Sequence, residues 1–534
     1  MTGTTLAQLE LADIQGNILT AYGKIGFPKA RHLLLHINDA AAGRATIEWL
    51  RHRVTTALRW PSRRKGTPTG PQSVDRPAVT LNLGFTFSGL LALGVPTRTL
   101  RGLPDDFIDG MSARASILGD GDRQSWDPVW LAAGSGRPHV LVALNAQMQA
   151  DGRPVPALDE LTALIIAHCA QSAGGVTLLS GHRGPQTRWQ ELSALLEQGP
   201  DGSWVPSPRE HFGYIDGVSD PVFDGQYADG ETHRRAQGNG KIDGKGAWSA
   251  LATGEFLLGW PDEAQEIPGS AMPLDFSRNG TFVAYRKLHQ DVAGFAAWVD
   301  RTAQQFGAHW QLADPKAARA TLLAKMAGRW QDGVPLIAAP DYPAWLAFNR
   351  SWPGDGTAAQ QAERALRLVT FTYGQDRDGA KCPVTAHVRR SNTRDMLDPQ
   401  GTNPDMSVRS GSALNNRRRI LRRGLPYGSV SQDDGEHGIV MLATCASLSR
   451  QFEFVQQQWL DYGLDFGAGN DTCPLVGNHG PDAKFVIAAE PGSGLAPFIA
   501  SGLPQAVSAR GGDYFFVPSM TALRMIAMGT IDPT

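Results

Sequence analysis

The sequence predicts an α+β fold made of two similar units that pack together. The chain has 534 residues, a length typical of more than one domain or of one large duplicated unit. Segments with strand and helix patterns alternate in both halves of the chain. A β-α-β-β-α-β order fits the first half, and a similar order of patterns returns in the second. We therefore expect one unit in residues 1–250 and the other in residues 251–534.

Five segments define the first unit. Residues 31–38 (RHLLLHIN) and 79–85 (VTLNLGF) are apolar and bounded by turn residues, which predicts strands. Apolar residues at helical spacing predict helices at residues 40–58 and 157–172. Residues 175–181 predict a further strand.

The second unit is predicted from the same patterns. The expected elements are strands at residues 280–288, 366–373, 438–445, 483–489 and 513–517, and helices at residues 291–306 and 448–459. Polar segments rich in turn residues predict surface loops at residues 60–75, 227–245 and 397–412.

Composition excludes several classes of function. The formal net charge of −2 gives no support for nucleic acid or an anionic membrane as a partner. No apolar segment is long enough to span a bilayer, and the N-terminus lacks the pattern of an export signal, so we expect a cytoplasmic protein. The four cysteines are far apart, which favours neither a zinc site nor a disulfide framework.

Residues 381–394 (KCPVTAHVRRSNTR) carry the first candidate site. His387 follows a Cys-Pro turn and precedes Arg389, Arg390 and Arg394. A neutral imidazole is a good axial ligand for haem iron, and guanidinium groups suit the propionates at the haem edge. The alternative is a structural histidine beside solvated arginines.

Two further segments carry charged candidates. Residues 211–221 (HFGYIDGVSDP) place Asp216 next to Gly217, so that a tight turn could present its carboxylate to a cavity; the alternative is an ordinary Asp-Gly turn. Residues 417–428 (RRRILRRGLPYG) include Arg422, which could stabilise developing negative charge. The alternative for this segment is a basic nucleic-acid or targeting patch.

The order of these segments resembles the dye-decolorising peroxidases, in particular the larger members of that family. The matching blocks are DIQGNIL (13–19), HFGYIDGVSDP (211–221), GEFLLGWPDE (254–263), NGTFVAYRKLHQDV (279–292), KMAGRWQDGVPL (325–336), CPVTAHVRRSNTR (382–394) and ILRRGLPYG (420–428). The resemblance implies two ferredoxin-like halves that form a barrel-like unit and bind haem b mainly through the second half.

The resemblance also implies roles for individual residues. His387 matches the proximal iron ligand, Asp216 the distal carboxylate and Arg422 the distal arginine. Arg394 matches an arginine that binds a haem propionate. Positions that line the distal face are matched by Ile439 and Met441.

The family places a carboxylate before a Pro-Leu-Val/Ile-Gly turn to orient the proximal histidine. Here that turn follows Cys473, and Asp471 lies two residues earlier as the candidate for this role. After the histidine the family frequently has Asn-Pro-Arg, whereas this chain has Asn392-Thr393-Arg394.

These residue types suit the cleavage of hydrogen peroxide. An axial donor raises the electron density of the iron, a base moves a proton between the two oxygens, and a fixed cation stabilises the developing charge. The product would be a ferryl haem, which small aromatic or dye-like donors reduce. Because an unperturbed aspartate has a pKa of about 4, we expect an optimum below about pH 6.

The alternative function is a haem-binding or haem-handling protein without efficient turnover, because the same axial histidine serves both. For bulky donors, oxidation through Trp or Tyr near the surface is a hypothesis, and Tyr427 and Trp330 lie closest in sequence to the site segments. His211, His32 and His36 are expected to be structural. We expect a monomer or a homo-oligomer.

Overall fold

The computed structural model describes residues 9–60, 75–268, 271–398, 410–431 and 435–531. Its strands are β1 (Lys29–Ile37), β2 (Val79–Phe85), β3 (Val140–Ala146), β4 (Val176–Leu178), β5 (Gln190–Ser193), β6 (Leu196–Gln198), β7 (Trp204–Pro206), β8 (Lys241–Ile242), β9 (Trp248–Ser249), β10 (Thr281–Gln290), β11 (Leu421–Tyr427), β12 (Gly438–Cys445), β13 (Lys484–Ile487), β14 (Phe498–Ser501) and β15 (Val507–Val517).

Nine helices are used below: α1 (Ala40–Arg51), α2 (Ala157–Gln171), α3 (Asp229–Ala236), α4 (Val292–His309), α5 (Pro315–Ala327), α6 (Tyr342–Ser351), α7 (Ala358–Val369), α8 (His387–Ser391) and α9 (Met520–Met528). Two π-helical segments follow β12, at Leu448–Glu453 and Val455–Leu460. Short α-helices lie at Gly16–Leu19, Phe87–Ala92, Thr97–Leu100, Asp105–Asp109, Pro128–Leu131, Leu274–Ser277 and Ala413–Asn416. Short 3-10 helices lie at Tyr22–Ile25, Arg123–Ser125, Gly134–Gly136, Thr253–Glu255 and Leu464–Phe466.

The large sheet contains the same four-stranded arrangement twice. Its order is β11-β12-β10-β15-β2-β3-β1-β4, with β5 also paired to β1. In each group of four, the first strand in sequence lies between the third and the fourth, and helices follow the first and third strands. This is the ferredoxin-like order. The expected fold of two ferredoxin-like halves is therefore confirmed; the division at residue 250 stays a prediction.

The two halves meet at a seam with little backbone pairing. Between β15 and β2 the only paired residues are Phe516 and Phe85. At the other end of the sheet, β11 lies beside β5, so the strands curve into a barrel-like unit. Side chains must therefore supply much of the connection between the halves.

The N-terminal segment bridges this seam with buried hydrogen bonds. The side-chain amide of Gln15 donates to the carbonyl groups of Leu83 and Pro518, each at 2.9 Å. Its oxygen accepts from the Leu83 N–H at 2.8 Å. Asp13 accepts from Asn279 and from the Thr521 N–H in the first turn of α9. One short segment thus binds β2, the end of β15 and α9 together.

Buried ion pairs also join the two halves. Lys287 on β10 binds Asp127 at 2.7 Å, and both side chains are fully buried. The neighbouring Arg286 pairs with Asp120, again within the interior. Because removal of one partner leaves an uncompensated buried charge, such pairs fix how the halves fit together.

The structure corrects several predictions from sequence. Residues 366–373 were expected to form a strand, but most of them lie at the end of α7 and beyond it, and α7 begins with a Thr357 capping box. The expected loop at residues 227–245 contains α3 and β8. The other two expected loops, at residues 60–75 and 397–412, lie largely outside the described residues.

Other elements agree with their predictions. The strands expected at residues 79–85 and 438–445 have those bounds in the structure. All four cysteines are free and buried. In the described part of the chain, no helix combines the length and apolar character needed to cross a membrane.

We predict that Gln15→Ala lowers the free energy of unfolding by about 3 kcal/mol, because it leaves buried backbone groups of Leu83 and Pro518 without partners. Chemical denaturation monitored by circular dichroism measures the change. The control is Gln457→Ala, which truncates an exposed side chain. Equal stabilities of the two variants would show that the seam does not depend on Gln15.

Candidate active site

Asp216 and Arg422 form an ion pair between the two halves of the chain. Arg422 Nη1 lies 2.8 Å from Asp216 Oδ1. Arg422 is on β11, whereas Asp216 lies in the segment that connects the two four-stranded groups. Gly213 and Gly217 have φ values of 88° and 69°, a left-handed backbone that favours glycine, and they shape the turn that carries Asp216.

The pair is accessible to solvent, but protein atoms surround it closely enough for burial to affect both pKa values; we call this position the recess. The side chains of Arg422 and Asp216 keep 41% and 49% of their surface accessible. Burial is the largest single influence on the pKa of Asp216 and raises it, but Arg422, the Gly217 N–H and Lys24 together outweigh burial, and the pKa lies below its ordinary value. Asp216 in turn raises the pKa of Arg422. Both groups therefore remain charged in mildly acidic solution.

Strand register places three of the sequence-predicted residues on one face of the sheet. Arg422 is paired with Ala443 on β12, and Gly424 with Met441. Directly paired residues of antiparallel strands project to the same side, and residues two apart share that side. Ile439 and Met441 therefore share the face of Arg422, and both are partly accessible. Gly424 leaves space opposite Met441.

His387 is the first residue of α8 and has a neutral imidazole. Burial, together with the charge of Arg422, lowers its pKa to about 4, and Asp216 acts in the opposite direction. The charges of Arg422 and Asp216 thus both influence the pKa of His387. Its Nδ1 lies 3.4 Å from Cys473 Sγ. Among the described residues, none is hydrogen-bonded to Nε2, which leaves this nitrogen available to a ligand.

Two of the three arginines after His387 have structural roles. Arg389 is fully buried and pairs with Asp376 at 2.9 Å. Arg390 donates to the backbone carbonyl of Asp471 at 2.6 Å. The expectation that the flanking arginines suit propionates therefore does not extend to these two side chains.

Arg394 has more donors without a partner than the two preceding arginines: two, against one in Arg390, among the described residues. Its side chain is buried, stacks on Phe371 at 3.9 Å and donates from Nη1 to the Phe371 carbonyl. Nε and Nη2 have no hydrogen-bond partner among the residues that the structure describes. Burial lowers the pKa of this guanidinium to about 9. A buried cation with unsatisfied N–H groups suits the carboxylate of a bound molecule.

The arginine-rich segment at residues 417–428 is not a free basic patch. Arg417 pairs with Asp262 at 2.8 Å, and Arg423 pairs with Asp220 at 3.1 Å. Arg419 is buried and donates to backbone carbonyl groups. The nucleic-acid alternative for this segment is therefore not supported.

Two residues of the site were not anticipated from sequence. Cys473, not Asp471, contacts His387, while the carboxylate of Asp471 lies 3.9 Å from Lys484. Lys24 packs against Gly217, and its ammonium contributes to the low pKa of Asp216. Cys473 was visible in the turn before Pro474, but linear spacing could not show which side chain points to the histidine.

The remaining candidates are buried or half-buried. Tyr427 and Trp330 are 3% and 2% exposed, so neither is itself a surface residue. His211 lies 3.1 Å from the Tyr427 carbonyl, and His36 stacks on His139. Burial lowers the pKa of His32 to about 3. These contacts agree with structural roles for the three histidines.

Comparisons with known proteins agree with this architecture. A domain profile described as "DyP dimeric alpha+beta barrel domain" matches residues 13–178, a range that ends with the last residue of β4. "Peroxidase 2" of Mycetinis scorodonius is 27% identical over 98% of this chain and 88% of its own length. "Dye-decolorizing peroxidase AauDyP1" of Auricularia auricula-judae is 27% identical over 84% of this chain and 75% of its own.

The fold matches as well. A solved dye-decolorizing peroxidase in complex with 2,6-dimethoxyphenol has a TM-score of 0.68 at 24% identity and aligns over 97% of this chain and 100% of its own. The profile, the relatives and the fold point to the same family. Over most of its length the chain is similar in sequence to dye-decolorising peroxidases, and it shares their fold.

Proposed function

We propose that the protein is a haem b peroxidase that reduces hydrogen peroxide and oxidises dyes and phenols. The observation that carries this proposal is the ion pair of Asp216 and Arg422, which lies in a recess and acts electrostatically on the neutral His387. Peroxidases of this family are haem-dependent. A protein that only stores or transfers haem has no need for a paired base and cation at the ligand-binding face.

The residues present fit a haem. His387 offers a neutral ring with a free Nε2, as an axial ligand requires. Arg394 offers two buried N–H donors for a propionate. Ile439 and Met441 offer partly accessible apolar surface on the same face of the sheet as Arg422. We assign iron ligation to His387, propionate binding to Arg394, and the lining of the distal face to Ile439 and Met441.

Bound haem supplies the redox-active iron at which the oxygen–oxygen bond breaks. Asp216 acts as the base: it accepts a proton from one oxygen of hydrogen peroxide and donates it to the other, which leaves as water. Arg422 stabilises the negative charge that develops on the leaving oxygen. It also keeps Asp216 ionised, so that the base remains available in acid.

Stacked tryptophans provide a route for electrons from bulky donors. Trp330 packs in the same core cluster as Cys382 and Ala386, which lie just before His387. The rings of Trp330 and Trp345 are stacked, with centroids 5.1 Å apart, and Trp345 is partly accessible. We infer that donors too large for the recess are oxidised at Trp345 and that Trp330 relays the electron.

The direct test uses the haem-loaded protein and hydrogen peroxide. We predict that the wild type shows a Soret band, consumes peroxide and bleaches dyes. Asp216→Asn should slow the reaction with peroxide by about 10²–10⁴-fold while the haem stays bound. His387→Ala should lose the Soret band but keep its far-ultraviolet circular dichroism.

The outcomes separate the two functions. Tight haem binding without turnover in the wild type would favour a haem-handling protein. An unchanged peroxide rate in Asp216→Asn would exclude this carboxylate as the base.

The pH dependence tests the coupling of Asp216 to Arg422. The wild type should be most active below about pH 6, since the lowered pKa keeps Asp216 ionised in acid. In Arg422→Leu, burial still raises this pKa but the cation that lowered it is gone. The acidic limb of kcat/KM for peroxide should therefore move to higher pH, by about 1–3 units.

The matched variant is Arg422→Lys, which retains a cation and should retain most of the low acidic limb. A surface control is Arg234→Leu, whose side chain is 76% exposed. Identical acidic limbs in the wild type and Arg422→Leu would contradict the electrostatic coupling.

We predict that Trp345→Phe lowers turnover of a bulky dye several-fold and leaves turnover of a small phenol unchanged. Phenylalanine keeps an aromatic ring but is harder to oxidise. Steady-state kinetics with the two donors measures the difference. The control is Trp204→Phe, because Trp204 is 40% exposed and lies on β7, in a separate two-stranded sheet. Equal effects of the two substitutions would remove Trp345 as the oxidation site.

A further inference from the structure

Cys473 occupies the position beside the proximal nitrogen of His387. Its Sγ lies 3.4 Å from His387 Nδ1, and the residue is fully buried. No other described side chain is hydrogen-bonded to this nitrogen. A histidine that binds a metal nearly always donates its second ring N–H to a carboxylate, a carbonyl group or water, and that partner sets the orientation and basicity of the ring. Here the partner is sulfur.

The backbone holds Cys473 firmly in this place. Its N–H donates to the Leu460 carbonyl at 2.7 Å. Its own carbonyl accepts from the Gly477 N–H at 2.9 Å and contacts His479 Nε2 at 3.0 Å. These contacts fix the backbone of Cys473, and its side chain is fully buried beside His387.

The nearby acidic residue is directed elsewhere. The carboxylate of Asp471 lies 3.9 Å from Lys484, and its backbone carbonyl accepts from Arg390. A thiol sulfur is only a weak hydrogen-bond acceptor. A weak acceptor withdraws little of the Nδ1 proton, in contrast to a carboxylate.

We propose that Cys473 is a positioning residue that holds His387 as a neutral imidazole with little imidazolate character. The inference rests on the proposed haem ligation by His387. It implies a less electron-rich iron than a carboxylate partner would produce, and therefore a higher ferric/ferrous reduction potential. Cleavage of the oxygen–oxygen bond would then depend more strongly on Asp216 and Arg422 on the opposite side.

The test compares haem-loaded wild type with Cys473→Asp, Cys473→Ser and Cys473→Ala. Two measurements independent of turnover are the ferric/ferrous midpoint potential and the iron–histidine stretching frequency in the ferrous state. Cys473→Asp should favour the ferric form by about tenfold, which is a potential lower by about 59 mV. Its stretching frequency should rise, because the carboxylate increases imidazolate character.

The serine variant keeps the test decisive if a buried aspartate disrupts folding. A hydroxyl oxygen accepts more strongly than a thiol, so Cys473→Ser should move both quantities in the same direction as aspartate, by less. Cys473→Ala should lower or broaden the stretching band, because the ring loses its partner. The control Cys169→Ala changes a buried cysteine on α2 in the other half of the chain and should change neither quantity.

Unchanged potentials and frequencies in the serine and alanine variants would overturn the role of Cys473. The failure of the underlying function is a separate result: the wild type would then bind no haem, or His387→Ala would bind it normally.

Discussion

The ion pair between Asp216 and Arg422 is the interaction on which the site depends. Its two members come from different parts of the duplicated fold, and they meet at 2.8 Å in a recess where burial disfavours charge. Each group favours the charged form of the other, because Arg422 lowers the pKa of Asp216 and Asp216 raises the pKa of Arg422. The strength of Asp216 as a base and the stabilisation of developing charge by Arg422 therefore both depend on how the two halves are aligned.

The contacts that hold the two halves together also keep Asp216 and Arg422 together. Only one pair of residues connects β15 and β2 through the backbone. Side chains provide the other connections between the halves, through the buried pair of Lys287 and Asp127 and the hydrogen bonds of Gln15. A small displacement of one half would separate the two charges, and rates are sensitive to displacements of about 1 Å. Residues far from the recess therefore determine its geometry.

Sequence patterns predicted the strands that are apolar along their length. The strands at residues 79–85 and 438–445 are apolar and are predicted with the observed bounds, although Ile439 and Met441 share the face of Arg422. β11 is not predicted, because Arg422 and Arg423 form ion pairs and Pro426 disfavours a strand. The charged residues that build the site therefore hide the strand pattern of β11.

Predictions of the candidate site failed where they required knowledge of side-chain partners. Arg389, Arg390 and Arg394 look alike in sequence. Tertiary contacts show that, within the described part of the chain, Arg394 is the one of the three that keeps two donors without partners. Asp471 and Cys473 are two residues apart, yet the thiol faces His387. By contrast, Asp216 and Arg422 were named in advance and lie together, although their catalytic roles stay predictions.

The decisive measurement is anomalous diffraction at the iron absorption edge from crystals of the haem-loaded protein. We expect one iron peak at bonding distance from His387 Nε2, with the carboxylate of Asp216 and the guanidinium of Arg422 together on the opposite face. An iron peak bonded to another residue, or a haem with Asp216 and Arg422 on the same side as His387, would contradict it.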